Sequence, residues 1–186
     1  MLRLAVVALV LWSVPAVAQE RFTGKVVGVA DGDTISVLRE GRSVRIRLEG
    51  IDCPDKGQDF SQRAKQFTSE LTFGKEVTVD VRDVDRYGRL VARVSVGAQD
   101  VSVALVRAGL AWHFTKYSRD PVLAEAEQAA RLAKRGLWGQ GSPTPPWEFR
   151  QLRRSARSPE PLPTNRNRAL LSLLFVLRIE EDRVFG

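Results

Sequence analysis

The feature that most constrains the fold is a series of short alternating segments broken by tight turns. The sharpest of them runs from Arg45 to Asp55 and reads Arg-Ile-Arg-Leu-Glu-Gly-Ile-Asp-Cys-Pro-Asp. A period of two puts Arg45, Arg47 and Glu49 on one face of a strand and Ile46 and Leu48 on the other. Gly50 and Pro54 then turn the chain and bring Asp52 and Asp55 beside that strand. A guanidinium fork matches phosphate oxygens, and carboxylates suit a hard cation. A hairpin with a solvated charged rim would use the same residues. A second acidic turn just upstream, Asp31-Gly32-Asp33-Thr34, favours a site.

Around this stretch the pattern predicts five strands. Phe22 to Ala30 is Val-rich and loosely alternating, Thr34 to Leu38 returns after the acidic turn, and Ser43 to Leu48 follows Glu40-Gly41. Val77, Val79 and Val81 mark a fourth strand, and Leu90 to Val96 a fifth beyond Asp85-Arg86-Tyr87-Gly88. Between the third and fourth, Phe60, Ala64, Phe67 and Leu71 recur at helical spacing, with Asp59 and Gln62 placed as a capping box and Gly74 as the stop. Two more helices are expected: Val101 to Ala108, ended by Gly109, and one opened by Asp120-Pro121 and closed by Gly136. The predicted class is α+β, mainly β: a small, partly open five-stranded barrel with three packed helices.

The chain has 186 residues, with Lys+Arg 29 against Asp+Glu 22 and a formal net charge of +7. That is one domain of ordinary size with room for a core. The basic balance points to an anionic partner, nucleic acid first and anionic membrane surfaces second. Residues 1–18 read as a signal peptide: Arg3, then the apolar run Leu4 to Trp12, then Ala16-Val17-Ala18 before the cut. The run is too short for a membrane span and Pro15 interrupts it. The expectation is an exported, periplasmic or extracellular monomer, not inserted in a membrane once cleaved. Cys53 is the single cysteine, so no intramolecular disulfide can brace the fold.

From residue 140 the composition shifts. Gly-Ser-Pro-Thr-Pro-Pro opens a segment rich in Arg, Ser and Pro, and residues 140–186 read as a disordered basic tail. Its arginines, among them Arg150, Arg153, Arg154, Arg157, Arg166 and Arg168, can hold polyanions or simply keep the tail solvated. The apolar run Ala169 to Leu177 is far short of a bilayer span.

Read together, Asp31-Gly32-Asp33-Thr34, Arg47-Leu48 leading to Gly50-Ile51-Asp52-Cys53-Pro54, and Asp85-Arg86-Tyr87-Gly88-Arg89 resemble the staphylococcal nuclease (thermonuclease) family. Leu105-Val106-Arg107-Ala108-Gly109-Leu110-Ala111 and Gly136-Leu137-Trp138 extend the resemblance, which covers about residues 21–139. It implies an OB-fold domain that cleaves DNA and RNA phosphodiesters with Ca²⁺, leaving 5′-hydroxyl and 3′-phosphate ends. It implies Asp33, Asp52 and the backbone carbonyl of Cys53 as cation ligands, with Asp31 behind them or acting through water. Arg47 and Arg89 would grip the scissile phosphate, and Tyr87, Tyr117 and Arg86 would line the nucleotide pocket.

Two positions depart from the family pattern. Asp55 stands where the family has a glutamate that activates or orients the attacking water, one methylene shorter. A base misplaced by about 1 Å can cost on the order of 10²-fold. The implied activity is therefore reduced, and a module that only binds single-stranded nucleic acid is the alternative. Thr115 stands where a pocket tyrosine is common. Glu49 reads as a partner for an arginine, the single histidine His113 as structural or superficial, and Cys53 as packing rather than a nucleophile.

Overall fold

The computed structural model describes residues 20–157, and the chain divides into two units after Pro146. The expected signal peptide, the arginines Arg166 and Arg168, and the apolar run Ala169 to Leu177 lie outside the described residues. In chain order the elements are β1 (Arg21–Asp31), β2 (Thr34–Arg39), β3 (Arg42–Leu48), β4 (Ile51–Asp52), α1 (Ser61–Thr72), β5 (Glu76–Val84), β6 (Leu90–Val96), β7 (Gln99–Asp100), α2 (Val101–Arg107), β8 (Trp112–His113), α3 (Pro121–Leu132), a 3₁₀ turn (Gly136–Gln140) and α4 (Pro146–Arg157).

The five expected strands are β1, β2, β3, β5 and β6, hydrogen-bonded in the order β3-β2-β1-β5-β6. The barrel is closed rather than partly open. After the antiparallel ladders, β3 pairs in parallel with β6, matching Ile46, Arg47 and Leu48 to Leu90, Val91 and Ala92. Closure satisfies both edges that an open sheet would leave exposed. It follows from the alternation, because the inward residues Val26, Ile35, Val37, Ile46, Leu48, Val77, Val79, Ala92 and Val94 are all buried. At about 1.5–3 kcal/mol for each large aliphatic side chain removed from water, they supply most of the domain's stabilisation. Val101, Leu105 and Val106 of α2 and Leu123 and Ala126 of α3 extend the same core. This is the OB-fold architecture.

Two local expectations need correction. α1 is not capped by Asp59: its N-cap is Phe60, in the left-handed region at φ 65°, with no side-chain cap hydrogen bond. The Phe60 ring packs against the core, and that burial holds the backbone in a conformation non-glycine residues seldom adopt. Among the described residues the α-helix count is four, not three, because residues 146–157 of the expected tail are helical. Pro146 opens α4, and the Arg, Gln, Leu and Ala that follow are good helix formers, a local signal that the flanking prolines dilute. His113, expected to be structural or superficial, is buried, 5 % exposed, with Nε2 3.3 Å from Ser118 Oγ, which agrees with the structural alternative. The caps at Asp100 and Asp120 are as expected, each carboxylate accepting a backbone N–H in the first turn of its helix.

Candidate active site

The site sits where the acidic turn after β1 meets the end of β3. Thr34 and Arg47 are register partners across the β2–β3 ladder. The ladder continues one step further, with Leu48 N donating to the Asp33 carbonyl at 2.8 Å. Asp33 is thereby fixed at the root of the Arg47 side chain. Gly32, inside this turn, has no room for a side chain: a Cβ there would stand 2.8 Å from Ala64 Cβ and from both Cβ and Sγ of Cys53. Thr68 of α1 donates its hydroxyl to the Gly32 carbonyl at 2.6 Å, so the helix pins the turn against the barrel.

The second carboxylate arrives by a longer route. β4 is only two residues long, and it pairs with β8, opposing Ile51 to His113 and Asp52 to Trp112. Phe114 N donates to the Gly50 carbonyl at 2.9 Å and extends that clasp. Gly50 has φ +77°, and a Cβ would stand 2.6 Å from Leu123 of α3. A glycine is therefore required both for the turn and for the close approach.

Arg47 bridges the two acids. Its Nη1 donates to Asp33 Oδ1 at 2.5 Å, and its Nη2 to Asp52 Oδ1 at 2.7 Å and to the Ile51 carbonyl at 3.3 Å. Cys53 N donates to Asp33 Oδ2 at 2.9 Å. Asp31 accepts from Asp33 N at 3.2 Å. Asp33 and Asp52 are buried. Burial, helped by the Asp31 charge, raises the Asp33 pKa to about 7 despite Arg47 beside it. The Arg47 pKa is raised as well: burial works against its charge, but its two acid neighbours outweigh burial and hold it above its ordinary value, so it stays charged. Burial also pushes the Cys53 thiol up, which removes it as a nucleophile at neutral pH.

Arg89 joins through Thr34. Its Nη1 donates to Thr34 Oγ1 at 3.2 Å, and the same hydroxyl donates to Asp33 Oδ1 at 3.2 Å. Asp85 holds Arg89 from behind, with Oδ2 accepting from Nε at 2.7 Å and Oδ1 from the backbone N–H groups of Tyr87 and Arg89 at 2.9 and 3.0 Å. Two arginines and two buried carboxylates thus converge on the rim of one closed barrel.

The model of the family described as staphylococcal nuclease homologue matches residues 45–140, which is half of the chain and includes Arg47, Asp52 and Arg89. The chain belongs to the staphylococcal nuclease family. Its relatives include a protein named uncharacterized endonuclease from Escherichia coli O157:H7, 44% identical over 128 residues, 68% of this chain and 84% of the relative. A micrococcal nuclease from Shigella flexneri is 38% identical over 163 residues, 82% of this chain and 92% of the relative. A further uncharacterized endonuclease, from Haemophilus influenzae, is 36% identical over 137 residues, 73% of this chain and 77% of the relative.

In this staphylococcal nuclease fold the residues singled out by sequence fall into two groups. Arg47, Asp33, Asp52, Cys53, Asp31 and, through Thr34, Arg89 form one connected network. Asp55 follows Cys53-Pro54 at the mouth of the next loop, half-buried, with its N–H donating to Gln58 Oε1 at 2.9 Å. Tyr87 and Tyr117 are 68 and 72 % exposed. Arg86 and Arg89 both lie over the Tyr87 ring, and Arg86 Nη2 donates to its hydroxyl at 2.8 Å. Tyr117 packs edge-on against Phe114, on the loop that follows β8. Glu49 partners Arg82 at 3.6 Å, as expected of it.

Three contributors carried no role in the sequence reading: Thr34 between Arg89 and Asp33, Asp85 behind Arg89, and Thr68 on the Gly32 carbonyl. Thr34 and Asp85 sit inside the quoted motifs, so their positions were visible although their partners were not. Among the described residues no three His, Cys, Asp or Glu side chains converge as a metal cage. The donor set nonetheless fits a hard cation. Asp31, Asp33 and Asp52 outnumber Arg47 and Arg89 in the network, and the available ligand atoms are oxygens, as a hard cation prefers.

Proposed function

We propose that this chain is an exported, Ca²⁺-dependent endonuclease that hydrolyses DNA and RNA phosphodiesters to 5′-hydroxyl and 3′-phosphate ends. One observation carries the reading: Arg47 bridges Asp33 and Asp52 beside Arg89, in a chain with relatives named endonuclease and micrococcal nuclease. Asp33, Asp52 and the Cys53 carbonyl would hold the cation, with Asp31 supporting through water. Bound there, Ca²⁺ supplies polarisation of a phosphate oxygen and neutralises charge building on it.

The chain's own residues do the rest. Arg47 and Arg89 offer guanidinium donors to the scissile phosphate and strengthen their grip as negative charge grows on its oxygens. Asp55 orients the attacking water and takes up its proton. The water oxygen bonds to phosphorus, the bond from phosphorus to the 5′ oxygen breaks, and that oxygen takes a proton from solvent water to leave as a hydroxyl while Asp55 returns its proton to solvent. Exposed Tyr87, Tyr117 and Arg86 offer surface for the nucleotide. The export reading is supported by the Leu4 to Trp12 run and Ala16-Val17-Ala18.

Asp55 favours a second reading, a nuclease-like domain that binds single-stranded nucleic acid and cuts it slowly or not at all. The test compares the purified chain and Asp55→Glu on labelled DNA and RNA with Ca²⁺ and with EGTA. The proposal expects cleavage that EGTA abolishes and a rate that rises about 10–100-fold in Asp55→Glu, reflecting the about 1 Å recovered by the base. Binding without cleavage in both proteins would select the second reading.

A further inference from the structure

We propose that α4 is a second nucleic-acid contact, a basic stripe that holds the phosphate backbone of a long substrate. The inference rests on nucleic acid being the substrate and concerns residues that the proposed chemistry does not use. Within Pro146–Arg157, Arg150, Arg153, Arg154 and Arg157 recur at i, i+3, i+4 and i+7, so they share one helix face. At about 1.5 Å rise per residue the stripe is about 10 Å long, enough to meet two or three charges at roughly 3.4 Å of axis per phosphate of one strand. Every residue from Gln151 to Arg157 is exposed, and Glu148 is the helix's single acid, in the first turn at the end remote from Arg157.

The chemistry selects a polyanion with a π-face over a lipid surface. Arg153 lies over the Phe149 ring, its guanidinium carbon 5.7 Å from the ring centroid, so the helix pairs cationic groups with an aromatic platform as single-strand binders do. A membrane-surface helix needs a broad apolar face. α4 offers Leu152 as its one large apolar side chain in the exposed class, and Phe149 is already shared with Arg153. A second contact tethered through Ser142 to Pro145 raises the local concentration of a captured strand without any change in the cleavage site.

The experiment measures binding of a 30-nucleotide DNA to the full chain in EGTA, across a range of NaCl concentrations, for the parent and for the triple variant Arg153→Gln, Arg154→Gln, Arg157→Gln. Gln keeps helix propensity, and circular dichroism checks that the fold is retained. Three lost phosphate contacts should reduce the slope of log K against log [NaCl] by about 2 and weaken binding at 0.1 M salt by roughly 100-fold. Cleavage of a four-nucleotide DNA should be unchanged. An unchanged slope overturns the inference, and so does a variant whose only loss is binding to vesicles of phosphatidylserine and phosphatidylcholine. If the parent neither binds the 30-nucleotide DNA nor cuts the short one, the endonuclease reading fails and takes this inference with it; a parent that cuts the short DNA while the slope stays the same sinks the inference alone.

Discussion

Thr34 and Arg47 face each other across the β2–β3 ladder, and that single register brings the two halves of the site together. Asp33 precedes Thr34, so its carboxylate lies within reach of the guanidinium that Arg47 sends outward from the barrel wall. A slip of one residue would send Arg47 inward and Ile46 outward, so the buried Ile46 and Leu48 specify the site as firmly as they specify the fold. The same threonine hydroxyl accepts from Arg89, which reaches it from the β5–β6 hairpin.

Arg47→Gln should both cripple cleavage and loosen the fold. Asp33 and Asp52 side chains are only 3 and 1 % exposed, so losing the guanidinium leaves two buried carboxylates without their shared cation. Urea unfolding should show a loss of about 3 kcal/mol, the low end for breaking a buried pair, because Asp33 can take up a proton in compensation. A loss below about 1 kcal/mol would show that the bridge contributes little.

Gly32→Ala tests the packing beneath the acidic turn. The added methyl would meet Ala64 and Cys53 at 2.8 Å, and neither neighbour has a flexible end to move. The turn must lift, costing about 1–3 kcal/mol and carrying Asp33 away from Arg47 and from the Cys53 N–H. Thermal unfolding and cleavage rate should fall together. A rate loss without a stability loss would argue against this account of the turn.

The pH dependence of stability follows from Asp33. Its folded-state pKa of about 7 lies above its ordinary 3.8, because burial penalises the charged carboxylate. Between those values the folded chain keeps a proton that the unfolded chain has released, so this group's stabilisation is full below pH 4 and is lost as pH rises through 7. In EGTA, denaturant titrations from pH 4 to 8 should show that decline, and Asp33→Asn should remove it. Millimolar Ca²⁺ should also flatten it, since a bound cation favours the ionised form. A decline of equal size in Asp33→Asn would assign it to another group.

Much of this was legible in the sequence. The barrel strands declared themselves because burial on one face forces a period of two, and Ile35, Val37, Ile46, Leu48, Val77 and Val79 all point inward as the alternation requires. The motif residues Asp33, Arg47, Asp52 and Arg89 were recognisable by order and spacing. What escaped the sequence was tertiary. The β4–β8 clasp joins two dipeptides far apart in the chain, too short for any periodicity. The left-handed Phe60 cap depends on where its ring is buried, not on capping chemistry. Asp85 and Thr34 earned roles only when their distances to Arg89 became visible, and α4 was hidden by the prolines that flank it.

The most direct measurement is the turnover of end-labelled single-stranded DNA by the parent and by Arg89→Ala, each with Ca²⁺ and with EGTA, with the product ends identified. The Arg89 and Asp85 side chains are 19 and 18 % exposed on the barrel rim, so thermal unfolding accompanies the assay to establish that Arg89→Ala stays folded. The account predicts 3′-phosphate products from the parent in Ca²⁺, none in EGTA, and a rate at least about 10²–10³-fold lower for the folded Arg89→Ala protein. Cleavage by Arg89→Ala as fast as the parent's, or parental cleavage that survives EGTA, would contradict it.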